Sequence, residues 1–329
     1  GASVLSSSRI GSVILMGTAS GGVKGTASRV AAIRKAGGDH GILVGVDQEG
    51  GTVRRLQGAE FSTMPSAVEQ AAMSDADLRT AAHTWGSELA RAGINLDFAP
   101  VVDVVPPGKA STNEPIGKLK RGYGSTPEKV ADKATAFIEG LQQANVGATA
   151  KHFPNLGQVT GNTDFAAKVV DSVTTADDPA LLPYRRAIAA DVASIMVSTA
   201  YFTRIDGSSP AAFSPTVVGL VRGLGFTGVI TSDDLGVAKA VAGVPAKQRA
   251  VTFVRAGGDI AITPMVSYRD KYQQFEQPLP ALDQKAFTLV DLTAIWTAPG
   301  GKYKLALTGL SAPVSVSRDA LGVVTIDAA

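Results

Sequence analysis

The chain has 329 residues, 45% of them hydrophobic and 18% charged, which is enough apolar material for one large domain, alone or with a small appendage. A formal net charge of +2 with acids and bases well mixed gives no basic stripe for nucleic acid, and no apolar run is long enough to span a bilayer. Zero cysteines exclude thiol catalysis, cysteine-ligated zinc and disulfides, while leaving the compartment open.

The opening, GASVLSSSRIGS, has no basic segment followed by an apolar one, so no secretory leader is expected within the chain. Apolar segments then recur: IGSVILMG (10–17), GILVGVDQEGG (41–51), INLDFAPVVD (94–103), GATAKHFP (147–154), ASIMVSTA (193–200), GVITSDDL (228–235) and DIAITP (259–264). Short, nearly continuous apolar runs are the pattern of parallel strands buried on both faces.

Helical segments lie between them, among them TASRVAAIRKAG, DADLRTAAHTWGSELARAG and TPEKVADKATAFIEGLQQAN. Thr126 and Pro127 are suited to the N-cap and first helical position of the last, and Gly37 and Gly93 to helix ends. The alternation predicts an α/β barrel of the TIM type over residues 1–265. A (β/α)8 barrel needs eight strands, but only seven are visible. Residues 1–17 are therefore expected to supply the second strand, with the first missing or the wall closed in another way. Residues 266–284 read as a linker or surface segment. In 285–329, KYKLALTGL, APVSVSRDAL and GVVTIDAA alternate apolar and polar residues, as in a small antiparallel β module.

In such a barrel chemistry gathers at the C-terminal ends of the strands. Those ends carry Asp47 and Glu49, Asp103, Lys151 and His152, Ser198 and Thr199, and Asp233 and Asp234. There is no Ser–His pair at hydrolase spacing and no HExxH, and three histidines give no basis for a multi-histidine metal site. No metal or other cofactor is expected. A carboxylate-rich mouth suits glycoside hydrolysis.

Each cluster also has a structural reading. In TSDDLG, alternation along a strand lets only one of Asp233 and Asp234 face a pocket, and a helix N-cap explains the pair equally well. In VDQEGGTVRRL the two acids and paired glycines could bind sugar hydroxyls, but pairing of Asp47 and Glu49 with Arg54 and Arg55 is slightly favoured. Lys151 and His152, adjacent at the end of a buried strand, favour a functional reading because both would need satisfied partners.

Six blocks in order, VDQEGGTVRRL, DFAPVVDV, RGYGSTPEKV, KHFP, SIMVS and TSDDLG, together resemble glycoside hydrolase family 3, in particular its β-N-acetylglucosaminidase branch. The resemblance spans about residues 10–265 and implies a barrel that cleaves N-acetyl-β-glucosaminides, often cell-wall derived, with retention. It assigns the nucleophile to Asp233 and sugar binding to Asp47, Arg121, Lys151 and His152. It also slightly favours the bacterial cell envelope or secretion over the cytoplasm.

The chain departs from the family pattern in the loop after KHFP. Asn155 and Leu156 stand where the family has Gly-His, Asn162-Thr163-Asp164 where its acid/base loop has Asp-Ser-His, and Thr199 where a histidine follows SIMVS. Two expectations follow. One is a retaining glycosidase using Asp233 as nucleophile and Asp164 as a substitute acid/base. The other is a glycan-binding protein of little or no activity that keeps the sugar pocket.

Overall fold

The computed structural model describes residues 11–38 and 41–263 and three short strands further on, at 303–305, 314–318 and 324–328. Six strands form one parallel sheet: β1 (Ser12–Leu15), β2 (Leu43–Val46), β5 (Leu96–Asp97), β6 (Gly147–Phe153), β8 (Ser194–Val197) and β10 (Val229–Ser232), in that spatial order. A parallel bridge from Thr231 to Ile260 carries the wall on to the seventh apolar segment, where the backbone N–H of Asp259 and of Ile260 both donate to Ile230 O. All seven segments read from the sequence therefore lie side by side in chain order.

The connecting helices include α1 (Gly22–Gly37), α3 (Asp75–Arg91), α4 (Pro127–Gln143), α5 (Leu182–Ala189), α6 (Pro215–Gly223) and α7 (Ala246–Arg255). A further short helix, α2 (Ala67–Gln70), starts in a capping box in which Ser66 and Glu69 satisfy each other's backbone N–H. The α4 start follows the sequence expectation: Thr126 Oγ1 accepts from Lys129 N and Pro127 opens the helix. No helix among the described residues is long and apolar enough to cross a membrane.

Most of the core lies between the sheet and these helices, where residues such as Phe137, Leu141, Val197 and Val217 are fully buried. Ile14, Leu96, Phe98, Met196 and Ile262 form a smaller, separate buried cluster. Gly45 belongs beside it for a steric reason: a Cβ on it would sit 2.7 Å from a ring carbon of Phe98.

The third apolar segment differs from a plain strand. Only Leu96 and Asp97 pair regularly, and Pro100 has no N–H to offer. The chain nevertheless stays beside β6, with Thr149 N donating to Ala99 O and Val102 N to Lys151 O. Two small sheets sit apart from the wall: the antiparallel pair β3 (Gln48–Gly50) and β4 (Val53–Arg54), and the parallel pair β7 (Val170–Asp171) and β9 (Tyr201–Phe202).

Near the C-terminus, β11 (Tyr303–Leu305), β12 (Val314–Arg318) and β13 (Val324–Ala328) form an antiparallel sheet in that order. They lie in the three segments with alternating pattern. The 266–284 linker lies outside the described residues.

Candidate active site

An open cleft with a volume of about 290 Å³ lies over the C-terminal ends of the strands. Asp47, Arg121, Lys151, His152, Asp164 and Asp233 all line it, so the structure brings together every site residue expected from the sequence.

The deep half is a chain of alternating charges. Lys151 Nζ lies 2.7 Å from Asp47 Oδ1 and 2.6 Å from Glu49 Oε1, and Arg121 grips Glu49 through two bonds of 2.8 Å. Lys151 is 2% exposed, so these partners are what allow a cation there. Burial works against the Lys151 ammonium, but Asp47 and Glu49 outweigh it and raise its pKa above the ordinary lysine value. Burial likewise opposes ionisation of Glu49, yet Arg121 and Lys151 hold its carboxyl well below the usual range. The Asp47 side chain, 20% exposed, is the acid of this network most open to the cleft.

The pairing corrects the sequence reading of VDQEGGTVRRL. Asp47 and Glu49 bind Lys151 and Arg121, not Arg54 and Arg55, whose Nε atoms are buried without a hydrogen-bond partner. Arg55 lines the cleft. The paired glycines serve the turn instead of a ligand: Gly50 and Gly51 have φ of +99° and +55°, and a Cβ on Gly50 would fall 2.1 Å from Pro65 O.

His152 turns on Asp103. Its Nδ1 lies 2.8 Å from Asp103 Oδ2, and its Nε2 lies 3.4 Å from Arg121 Nη2. Asp103 also accepts the backbone N–H of His152 and of Leu156, so one buried carboxylate sets both the imidazole and the start of the following loop. Lys151 and His152 are consecutive yet both line the cleft, because the pairing of β6 with β8 slips between Lys151 and Phe153.

The loop after Pro154 packs on the segment that carries Asp103. Asn155 Oδ1 accepts from Val104 N and Gly157 N, both at 3.0 Å. Gly157 passes so close to Val104 that a Cβ would lie 1.7 Å from its carbonyl oxygen. Leu156, where the resemblance implies a histidine, is almost fully buried at the wall of the cleft. Thr199, in place of the other, is fully buried and does not line the cleft, nor does Ser198.

Asp164 and Asp233 occupy the shallower half. Asp164 keeps solvent contact at the surface, but dehydration in the cleft, then the Asp233 carboxylate, push its carboxyl up to about 6. Its loop is tied to the loop that follows Asp233: Lys239 N donates to Asp164 O and Ala240 N to Thr163 O. Asp234 also lines the cleft, which corrects the expectation that only one of the two acids could. Strand alternation no longer applies there, because β10 ends at Ser232. Asp234 Oδ1 accepts from Gly236 N and Val237 N in a local turn, and burial foremost raises its carboxyl to about 7.

Of the residues in the cleft or directly behind it, Asp103 shows in the sequence only as a strand-end acid, while Glu49 reads as a sugar-hydroxyl ligand or a partner of Arg54 and Arg55. Nothing in the local spacing marks Asp103 as the partner of His152, since 49 positions separate them.

The fold and this cleft together define a parallel half-barrel with an acid-lined mouth. A sequence profile for the glycosyl hydrolase family 3 N terminal domain matches residues 1–288, and the chain belongs to that family. It is 34% identical over 241 residues to the beta-hexosaminidase LpqI of Mycobacterium tuberculosis, covering 71% of this chain and 61% of that protein. It is 33% identical over 235 residues to the beta-hexosaminidase of Stenotrophomonas maltophilia, covering 67% of this chain and 66% of that one. The chain thus spans a little under two-thirds of these relatives. Among solved structures it is similar to a beta-N-acetylhexosaminidase from Beutenbergia cavernae, with 44% identity, a TM-score of 0.77 and 79% of each chain covered. It is also similar to NagZ from Neisseria gonorrhoeae in complex with N-trifluoroacetyl-D-glucosamine, with 26% identity, a TM-score of 0.66, and 82% of this chain and 79% of that one covered.

Proposed function

We propose that this protein is a retaining glycoside hydrolase acting on N-acetyl-β-glucosaminides. Asp233 is the nucleophile and Asp164 the acid/base in place of the family's Asp–His pair. Asp47, Arg121, Lys151 and His152 hold the sugar that is cleaved off.

The observation that carries this reading is the meeting of Asp164 and Asp233 in one cleft, with the Asp164 carboxyl pushed up to about 6. A retaining mechanism needs two carboxyl groups in opposite states, one ionised to attack the anomeric carbon and one protonated to release the leaving group. A shared cleft favours that split, because two neighbouring carboxylates resist ionising together. The Neisseria relative, in complex with N-trifluoroacetyl-D-glucosamine, supports the sugar class.

Chemically, Asp233 would displace the leaving group to form a glycosyl ester while Asp164 gives its proton to the departing oxygen. Asp164, now ionised, would then take a proton from water as that water attacks the ester, restoring both groups. Asp47 would accept from sugar hydroxyls, with the Lys151, Glu49 and Arg121 network holding it against movement.

A glycan-binding protein without turnover is the second reading. Leu156 favours it, because an apolar side chain lines the cleft where the family carries a histidine. The test is incubation of the purified protein with aryl N-acetyl-β-glucosaminide and aryl β-glucoside, alongside Asp233→Ala. Turnover of the first substrate that is lost in the variant supports the hydrolase. Binding of N-acetylglucosamine-containing glycans without turnover supports the second reading.

A further inference from the structure

Phe165 is the most exposed of the large apolar side chains that the described residues present to solvent, at 71%, and it lines the cleft. Leu119, another of them at 37%, lines the same cleft. Leaving a phenyl ring in water forgoes the stabilisation that its burial would bring. Neither residue is exposed through a loose attachment.

The loop of Phe165 is fastened on the side that precedes the ring. Phe165 N and Ala166 N donate to Asn162 O, Asp164 N donates to Asn162 Oδ1, and the carbonyls of Thr163 and Asp164 accept from Ala240 and Lys239. The loop of Leu119 is fastened to the neighbouring loop by buried Asn113. Its amide donates to the carbonyls of Leu156 and Val159 and accepts from the N–H of Ile116 and Gly117. Arg121 adds a bond to Pro115 O at 2.8 Å, so this wall is tied to the network under the sugar.

We infer that Phe165 and Leu119 form an apolar platform for the leaving group, taking the flat C–H face of a second pyranose ring or the face of an aryl group. The inference rests on the assignment of Asp164 as the acid. A general acid must come within about 2.6–3.2 Å of the oxygen it protonates. The atoms beyond that oxygen therefore begin beside Asp164, and the next side chain along the chain is Phe165. Aromatic rings bind flat apolar faces with a preferred stacked or edge-on geometry, which makes Phe165 a specificity-determining residue for the leaving group.

The test compares kcat/KM for three N-acetyl-β-glucosaminides: methyl, 4-nitrophenyl and the β-1,4-linked disaccharide of N-acetylglucosamine. Phe165→Ala should lower kcat/KM for the disaccharide and the aryl glycoside by roughly two- to tenfold, with the methyl glycoside unchanged. Phe165→Trp should restore the loss. A larger loss for the disaccharide than for the aryl glycoside assigns the platform to a sugar, and the reverse to an aryl group. An equal effect on all three substrates, or none, overturns the platform. Calorimetric titration supplies a readout independent of turnover. If the wild type hydrolyses nothing, the hydrolase reading fails. The platform then still requires the disaccharide to bind more tightly than the methyl glycoside, by a ratio that Phe165→Ala abolishes. An unchanged ratio overturns it.

Discussion

His152 is held by Asp103 from two directions, through its ring Nδ1 at 2.8 Å and through its backbone N–H at 3.3 Å. With Nδ1 donating to the carboxylate, Nε2 is left as an acceptor facing Arg121 Nη2. The imidazole orientation, and the sugar contact proposed for it, therefore depend on a fully buried acid.

Asp103→Asn should keep the shape but weaken that hold, raising KM for an N-acetylglucosaminide about tenfold or more with a smaller change in kcat. Asp103→Ala should also leave the N–H groups of His152 and Leu156 without their acceptor. Its cost in urea unfolding should be about 2–5 kcal/mol.

Lys151→Met should destabilise the fold by about 3–5 kcal/mol, because it strands the buried Glu49 carboxylate with one cation instead of two and removes the Asp47 partner. Chemical denaturation of the variant and wild type, compared at equal pH, measures this. A change near zero would mean that the ion network contributes little to the fold.

The pH dependence follows from Asp164, whose carboxyl sits at about 6. As the proposed acid it would have to be protonated to serve a poor leaving group, so kcat for the disaccharide should fall as pH rises through about 6. An activated aryl glycoside needs no such proton in its first step and should lack this limb while that step limits turnover. Asp164→Asn should slow the disaccharide by about 10²–10⁴-fold and leave formation of the glycosyl-enzyme from the aryl substrate nearly unchanged.

Asp234 gives a stability test with a definite sign. Its folded pKa of about 7 lies above the ordinary aspartate value, so its contribution to stability is present at low pH and is lost as pH rises through about 7. Asp234→Asn keeps an oxygen for Gly236 N and Val237 N while removing the charge. Thermal unfolding should show the variant gaining on the wild type at pH 8 relative to pH 5.

The seven-segment wall was legible in the sequence because buried parallel strands leave continuous apolar runs, and three of those runs, 41–51, 147–154 and 228–235, end in polar residues of the cleft. Asp47, Lys151, His152 and Asp233 could be read for that reason. Glu49 could not be paired correctly, because its partners Lys151 and Arg121 come from distant segments and Arg54 and Arg55 lie temptingly near in sequence. Asp234 was misjudged because the rule of alternation holds only within a strand. The bulge between Lys151 and Phe153 was hidden too, since it shows only in the pairing with β8.

The most direct test of the hydrolase assignment is turnover of an aryl N-acetyl-β-glucosaminide by wild type and Asp233→Ala. The account predicts measurable release of the aryl group by the wild type and none above background for the variant, with both proteins folded. Equal, measurable rates for the two would contradict the assignment of Asp233 as the nucleophile.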